Sequence, residues 1–457
     1  MTNVTSFPGD KKQGKKKEEE DDKKLASPEV RFAYEIHDAK AADGGAMYAS
    51  DGSILYQWVG THWHPMTPDT LEMAAWAWCA AWARDRANPK LVTSCAGAAI
   101  LAAPRLPAAA QDNVVLPVRD GALQLEQGED GRYTGRLRPG RREDGLCYVL
   151  ACNYQPGAPA LRFSQFLNEI QPDMAVQAYL QEYVGYTLLP DCRFQNAHFW
   201  LGAGSNGKST LAKIVGALHG KVTAMDLSHL DGFNLVGLLG SSLALVDETP
   251  MRINEQRLKV LISGGLTLVD RKYRDPLSFY PLAKWIILGN QLPAVSDQTY
   301  GFWRRIKIIP FQTRFDDGQQ DSSLAEKIIG GELSGVLNWA VGGLIRLLER
   351  GHFPPPPTAV AKALREGQRE TNSVLAWWRD DDEHVADTEI ETPRKLVYAA
   401  YSDWCTNNGM CRLAAPKFWG RMRAGVNFAE KQKNNHGNRV RVVGLQLSRE
   451  ERQAAKW

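Results

Sequence analysis

The chain has 457 residues, 44% of them hydrophobic, enough for roughly two to four domains with cores of their own, which excludes a wholly disordered or fibrous protein. Its 55 basic and 52 acidic residues nearly cancel, so overall charge points to no partner and any nucleic-acid surface must come from local clustering. Seven cysteines (79, 95, 147, 152, 192, 405 and 411) are odd in number and lack CxxC spacing, which argues against a disulfide framework and a zinc ribbon and for a reducing, cytoplasmic compartment. The N-terminus has no apolar signal core. The most apolar stretch, CAGAAILAAPRLPAAA (95 to 110), is broken by Pro104, Arg105 and Pro107, so no membrane partner is expected.

Residues 1 to 28 mix seven lysines with six acids and almost no apolar side chains, so a disordered tail is expected, with a solvated helix in KKKEEEDDKK as the alternative. Residues 29 to 190 read as a mixed α+β accessory or oligomerisation region. In it, DGSILYQWVGTHWHP (51 to 65) alternates around Gly60 like a hairpin, and PDTLEMAAWAWCAAWARDRA (68 to 87) reads as an amphipathic helix. Trp76, Trp78 and Trp82 could stack on bases, but their composition and spacing assign them to packing. A second helical stretch (172 to 190) precedes CRFQNAHFWL, whose apolar end suits a buried strand.

That strand runs into LGAGSNGKST (201 to 210), where Gly202 and Gly207 bracket four residues ahead of Lys208 and Ser209. Strand, glycine loop and helix in this order can cradle a nucleotide phosphate. Backbone amides of Gly202, Ala203, Gly204, Ser205, Asn206, Gly207, Lys208, Ser209 and Thr210 are the binding candidates, with Lys208 on the β- and γ-phosphates of ATP and Ser209 on Mg2+. About forty residues on, the apolar run SSLALVDETP ends in Asp247, placed to hold Mg2+, and Glu248, placed as general base. A further strand, AKWIILGNQLP, ends at Asn290, suited to a bond with γ-phosphate and water. GFWRRIKIIPF then brings Arg304 and Arg305, whose guanidinium groups suit the charge on a transferring phosphoryl group.

The order of lysine loop, acidic strand end, asparagine strand end and arginine resembles the compact core of superfamily 3 helicases. More specifically it is similar to the phage and plasmid primase-helicase family related to the poxvirus replicative NTPase. The likeness rests on GAGSNGKST, on LKVLISGGLTLVDRKYRDPLSFYPLAKWIILGNQLP (258 to 293), on GFWRRIKIIPF, and upstream on LCYVLACNYQPGAPALRFSQFLNEIQPD with LQEYVGYTLL, and covers roughly residues 110 to 445. It implies an α/β fold with a P-loop, AAA+-type core over 191 to 316. It also implies a hexameric ring in which Arg305, rather than the less favoured Arg304, reaches the neighbour's ATP, and 3′ to 5′ translocation on DNA. Arg271, Lys272 and Arg274 occupy the family's DNA-contacting hairpin. Where the family commonly has a glycine-aspartate pair before that hairpin, this chain has Gly264, Gly265 and Leu266.

Two helical patterns between 322 and 357, stopped by four prolines, resemble the family's helical lid (317 to 378). The acidic run RDDDEH suggests a linker over 379 to 389. Residues 390 to 457 read as three helices and a terminal strand pair, and between Arg394 and Arg441 ten Lys or Arg face two acids. That pattern suits a winged helix with Lys417, Arg421, Arg423, Lys431, Lys433, Arg439 and Arg441 as DNA candidates; the alternative is a solvated basic face. The expected partners are single-stranded and forked DNA, an origin duplex, other copies of the chain, and a separate primase or replication proteins of a bacterial host. A primase-helicase acting alone and a DNA-binding ATP switch or defence NTPase without unwinding stand as alternatives.

Overall fold

The computed structural model describes residues 26–109, 114–250, 253–271, 274–293, 295, 299–316, 321–410, 412–435 and 438–454. The charged tail up to residue 25 lies outside them. The chain begins with a small unit of three helices, α1 (Pro28–Asp38), α2 (Pro68–Trp82) and α3 (Pro89–Ala102), and the antiparallel strands β1 (Tyr48–Ser50), β2 (Leu55–Trp58) and β3 (Trp63–Pro65). The turn around Gly60 joins β2 to β3, with Trp58 opposite Trp63. Thr67 and Asn88 each accept a backbone N–H one turn on, from Thr70 and Leu91, and Pro68 and Pro89 supply the fixed φ of a first helical position, so α2 and α3 start where they do. Trp78 is buried and donates Nε1–H to Glu35 Oε2 at 2.8 Å. Trp76 and Trp82, expected in the core, are instead 48% and 53% exposed. Residues two apart on a helix point to nearly opposite sides, so Trp76 cannot share the core face of Trp78.

The next part is a meander of β4 (Val114–Val118), β5 (Gly121–Gln127) and β6 (Tyr133–Arg138), followed by α4 (Leu161–Ile170) and α5 (Met174–Thr187). Helix α5 is buried on almost every side, so it lacks a polar face, and its one buried acid, Glu182, pairs with Arg346 and Arg350. These elements share one hydrophobic core with the parallel sheet that follows. That sheet holds β7 (Ala197–Leu201), β8 (Val222–Ala224), β9 (Leu243–Val246), β12 (Lys284–Gly289) and β13 (Ile306–Pro310), in the spatial order β13-β7-β12-β9-β8. Strands β7 and β12 are apolar along almost their whole length because both faces are covered. Helix α6 (Lys208–Ala217) leaves β7 through the glycine loop, and α7 (Glu255–Ile262) leads to a hairpin of β10 (Thr267–Arg271) and β11 (Arg274–Phe279).

Residues 324 to 350 form one 27-residue helix, α9 (Leu324–Arg350), where two helical patterns were expected; the short α8 (Tyr300–Trp303) precedes it. Its internal glycines are places of close approach rather than breaks. A Cβ on Gly343 would strike the Gln181 carbonyl of α5, and one on Gly185 would meet the Ala340 carbonyl of α9 at 2.5 Å. Among the described residues α9 is the one helix long and apolar enough to cross a membrane, and it lies packed on α4, α5 and α6.

After α10 (Thr358–Glu370) comes the C-terminal unit: α11 (Ser373–Asp380), β14 (Val385–Ala386), β15 (Thr392–Pro393), α12 (Arg394–Asn407), α13 (Ala415–Gly425), β16 (Glu430–Asn435), β17 (Asn438–Val443), β18 (Leu445–Gln446) and α14 (Arg449–Ala454). Three helices (α11 to α13) close over a sheet of order β15-β17-β16. Val374 and Trp377 of α11 belong to this core, so the unit starts near 373 rather than 390, and the acidic stretch is no free linker: β14 within it pairs with β18.

Candidate functional site

The glycine loop sits at the C-terminal end of the sheet, where β7 gives way to α6. Gly207 has φ +79°, and a Cβ there would run into Ile170 Cγ2 and lie 3.3 Å from Phe166 on α4. Only glycine serves both demands. Asn206, almost fully buried, staples the loop: its Nδ2 donates to the Phe311 carbonyl at 3.3 Å and its Oδ1 accepts from Lys208 Nζ at 3.0 Å. Lys208 Nζ also donates to the Gly202 carbonyl at 2.7 Å, so the amine is folded back over the loop, and burial pulls it below its usual pKa. Gly204 through Thr210 line a cleft of ≈ 610 Å³. Gly202 and Ala203 do not line it; they form the loop's stem.

Asp247 and Glu248 follow β9, Asn290 follows β12, and all three line this same cleft. Register explains the convergence. Strands β7, β12 and β9 are parallel and adjacent, so the chain leaving each arrives at the same end of the sheet. Thr249 Oγ1 donates to the Gln291 carbonyl at 2.8 Å and ties the two loops together. Ser209 and Asp247 offer hard oxygens on one cleft, a donor pair that fits a magnesium ion completed by phosphate oxygens and water. Among the described residues no cluster of three or more His, Cys, Asp or Glu could hold a metal on its own.

Arg304 and Arg305 are not in this cleft. They precede β13, whose Ile306 pairs with Ala197 at the start of β7, so they occupy the opposite end of the sheet, about 16 Å away for a five-residue strand. Both are tethered: Arg304 and Arg305 donate to Gln195 Oε1 at 2.8 and 3.0 Å, and Arg305 Nε donates to Ser263 Oγ at 3.0 Å. Burial and the neighbouring Arg304 charge lower the pKa of Arg305. Ser263 ends α7, just before the β10–β11 hairpin, so Arg305 is bonded to the hairpin's root.

In that hairpin Arg271 is paired in register with Arg274, while Lys272 lies outside the described residues. Of the C-terminal candidates, Lys417 and Arg441 are exposed, whereas Arg423 bonds Glu430 at 3.0 Å, Lys433 pairs with Glu391, and Lys431 reaches the Thr388 carbonyl at 3.4 Å. Arg439 lies on β17 close to the turn. Arg421 faces a different groove from the glycine-loop cleft.

Several cleft residues carry no mark in the sequence. Phe166 and Glu169 of α4, Phe315, Asp321, Ser322 and Leu324 are among the other walls. Asp321 is held at a pKa of about 2 by Lys327, with Ser323 adding hydrogen bonds. Helical spacing of Phe166 and Glu169 shows only that they share a face, not which loop they meet.

Residues 32–172 match a family model described as D5 N terminal like, and residues 200–305 match a family of unknown function, DUF5906. Among curated proteins, the chain is 30% identical over 374 residues to "Putative helicase 121R" of Invertebrate iridescent virus 3, covering 72% of this chain and 39% of that protein. It is 26% identical over 228 residues to "Putative helicase L207/L206" of Acanthamoeba polyphaga mimivirus, covering 45% of this chain and 22% of that one. The chain thus spans well under half the length of these relatives. Of solved structures, the apo C-terminal region of NrS-1 superposes with a TM-score of 0.46 at 11% identity, over 86% of this chain and 94% of that one.

Proposed function

We propose that the protein is an ATP-driven DNA helicase of the viral and phage primase-helicase kind, a superfamily 3 motor working as a ring. The observation that carries the reading is the split arrangement: loop, acids and Asn290 share one cleft, while Arg305 stands at the far end of the sheet, bonded to the root of a hairpin. An arginine there cannot serve its own subunit's nucleotide and suits a neighbour's, as in a head-to-tail ring. The strand order β13-β7-β12-β9-β8, with the loop on β7, agrees with an AAA+-type core, and the C-terminal order of helices and strands agrees with a winged helix. The viral relatives named as helicases point the same way.

In this reading Lys208 leaves the Gly202 carbonyl and Asn206 to bind β- and γ-phosphates, and amides of Gly204 to Thr210 bind the remaining oxygens. Mg2+, held by Ser209 and Asp247, neutralises phosphate charge when bound. Glu248 takes the proton of the attacking water, Asn290 orients that water, and the neighbour's Arg305 stabilises the transferring group. Movement of Arg305 is passed through Ser263 to the hairpin, where Arg271, Lys272 and Arg274 track DNA phosphates. Phe166 and Phe315 supply apolar surface for a base.

The test is strand displacement on forked DNA with a 3′ or a 5′ tail, with ATP and magnesium, and Lys208→Ala as control. Displacement that needs the 3′ tail and vanishes in the variant is expected. ATP hydrolysis without opening of either fork, at concentrations that assemble rings, would replace the helicase by a DNA-binding ATP switch.

A further inference from the structure

Between the motor and the C-terminal unit runs an open groove of ≈ 410 Å³ whose walls carry Arg365 and Arg369 of α10, Arg379 of α11 and Arg421 of α13. Among the described residues no carboxylate lines it, although acids are nearly as common as bases in the whole chain. Among the described residues no ion pair reaches Arg365, Arg369 or Arg379, all three exposed. The neighbouring Glu366 is turned to Lys362 at 3.8 Å. The guanidinium groups of Arg365, Arg369 and Arg379 present planar forks of N–H donors that match the oxygens of a phosphate.

The walls are fixed by close packing. On α10, Arg365 and Arg369 are one turn apart and face the groove, while Gly367 between them presses on the sheet: a Cβ there would strike Leu292 and lie 2.8 Å from Ile308 of β13. On the other side Gly425 of α13 lies so close to Leu375 of α11 that a Cβ would collide with it. Trp303, immediately before the arginine pair of the motor, forms part of the lining, and the amides of Gln368 and Asn372 add donors. The groove therefore leads from α13, the basic helix of the C-terminal unit, to the part of the motor that carries Arg304 and Arg305.

We infer that this groove binds the phosphate backbone of a nucleic acid, holding the strand that runs from the C-terminal unit to the motor through Arg365, Arg369, Arg379 and Arg421. Arginines contributed by three different helices suit a polymer that passes several phosphates rather than a single enclosed anion. The inference does not rest on the motor reading, since phosphate binding needs neither hydrolysis nor a ring.

The test is fluorescence anisotropy of labelled duplex and single-stranded oligonucleotides, without ATP, over a range of salt, on the full chain and its Arg365→Gln/Arg369→Gln/Arg379→Gln variant. The slope of log K against log salt is expected to become shallower by about 2 to 3, at ~0.9 for each phosphate no longer neutralised on duplex and ~0.7 on single strands. A charge-matched control, Arg84→Gln/Arg86→Gln/Lys90→Gln on the N-terminal unit, is expected to leave the slope unchanged. Thermal midpoint and DNA-free ATP turnover of the groove variant are expected to match the parent, so a folding defect is recognised as such. An unchanged slope on both nucleic acids in a folded variant overturns the proposal. So does a variant that loses only competition by inorganic tripolyphosphate, which would mark a site for a free anion.

Discussion

Gly207→Ala tests the physical account of the loop at one atom. Two costs follow from the structure. A residue with a Cβ at φ +79° costs about 1 to 2 kcal/mol. The new methyl would also overlap Ile170 Cγ2 and crowd Phe166, and overpacking of this kind costs about 1 to 3 kcal/mol. If both fall on the nucleotide-competent loop, affinity drops by about 2 to 5 kcal/mol, roughly 30- to 4,000-fold. A fluorescent ATP analogue titrated into parent and variant measures this. The steric half is separable: Ile170→Ala removes the colliding methyl, so Gly207→Ala/Ile170→Ala is expected to bind better than the sum of the two single losses, while the backbone cost persists. Parent-like affinity in Gly207→Ala, or strict additivity in the double variant, would refute the reasoning.

If Glu248 is the general base of the proposed mechanism, Glu248→Gln is expected to keep nucleotide affinity while turnover falls by about 100- to 10,000-fold, measured by phosphate release. Gly343→Ala drives a methyl into the Gln181 backbone and is expected to lower the thermal midpoint by about 5 to 10 °C, with Gly342→Ala, which has room, as control. Acid should loosen the fold before carboxylates titrate. His219, bonded to Thr187 and Ser242, is held by burial at a pKa of about 3, and His62 by burial at about 4, against 6.5 when unfolded. Folded pKa values below the unfolded ones mean full stability above pH 6.5 and progressive loss below it, about 2 kcal/mol per histidine by pH 5. Thermal midpoints from pH 7.5 down to about 5 check this, and a flat profile would contradict it.

Legibility in the sequence followed the range of the interaction. The loop from 201 to 210 shows itself because glycine spacing and the lysine are local requirements, and Asp247, Glu248 and Asn290 show themselves as polar ends of apolar runs. That they meet is a consequence of the strand order, which pairs β12 with both β7 and β9 and which local pattern does not encode. Phe166 and Glu169 reach the cleft from α4 by tertiary packing, so nothing near them marks the role. Helix α9 reads as two helices because Gly330, Gly331, Gly342 and Gly343 imitate breaks, whereas Gly343 answers to the close crossing of α5. Ser373–Asp380 reads as the end of the lid because its amphipathic face does not say which core it enters; Val374 and Trp377 enter the C-terminal one.

The claim most exposed to a single measurement is that the ATP site is completed by a neighbour. Arg305→Ala keeps an intact loop, and Lys208→Ala keeps an intact arginine, so each alone should hydrolyse ATP poorly. Mixed in equal amounts and allowed to exchange subunits, they are predicted to regain turnover, to about a quarter of the parent's rate if interfaces act independently in a head-to-tail ring. Turnover in the exchanged mixture no higher than the mean of the two variants alone would contradict the shared site.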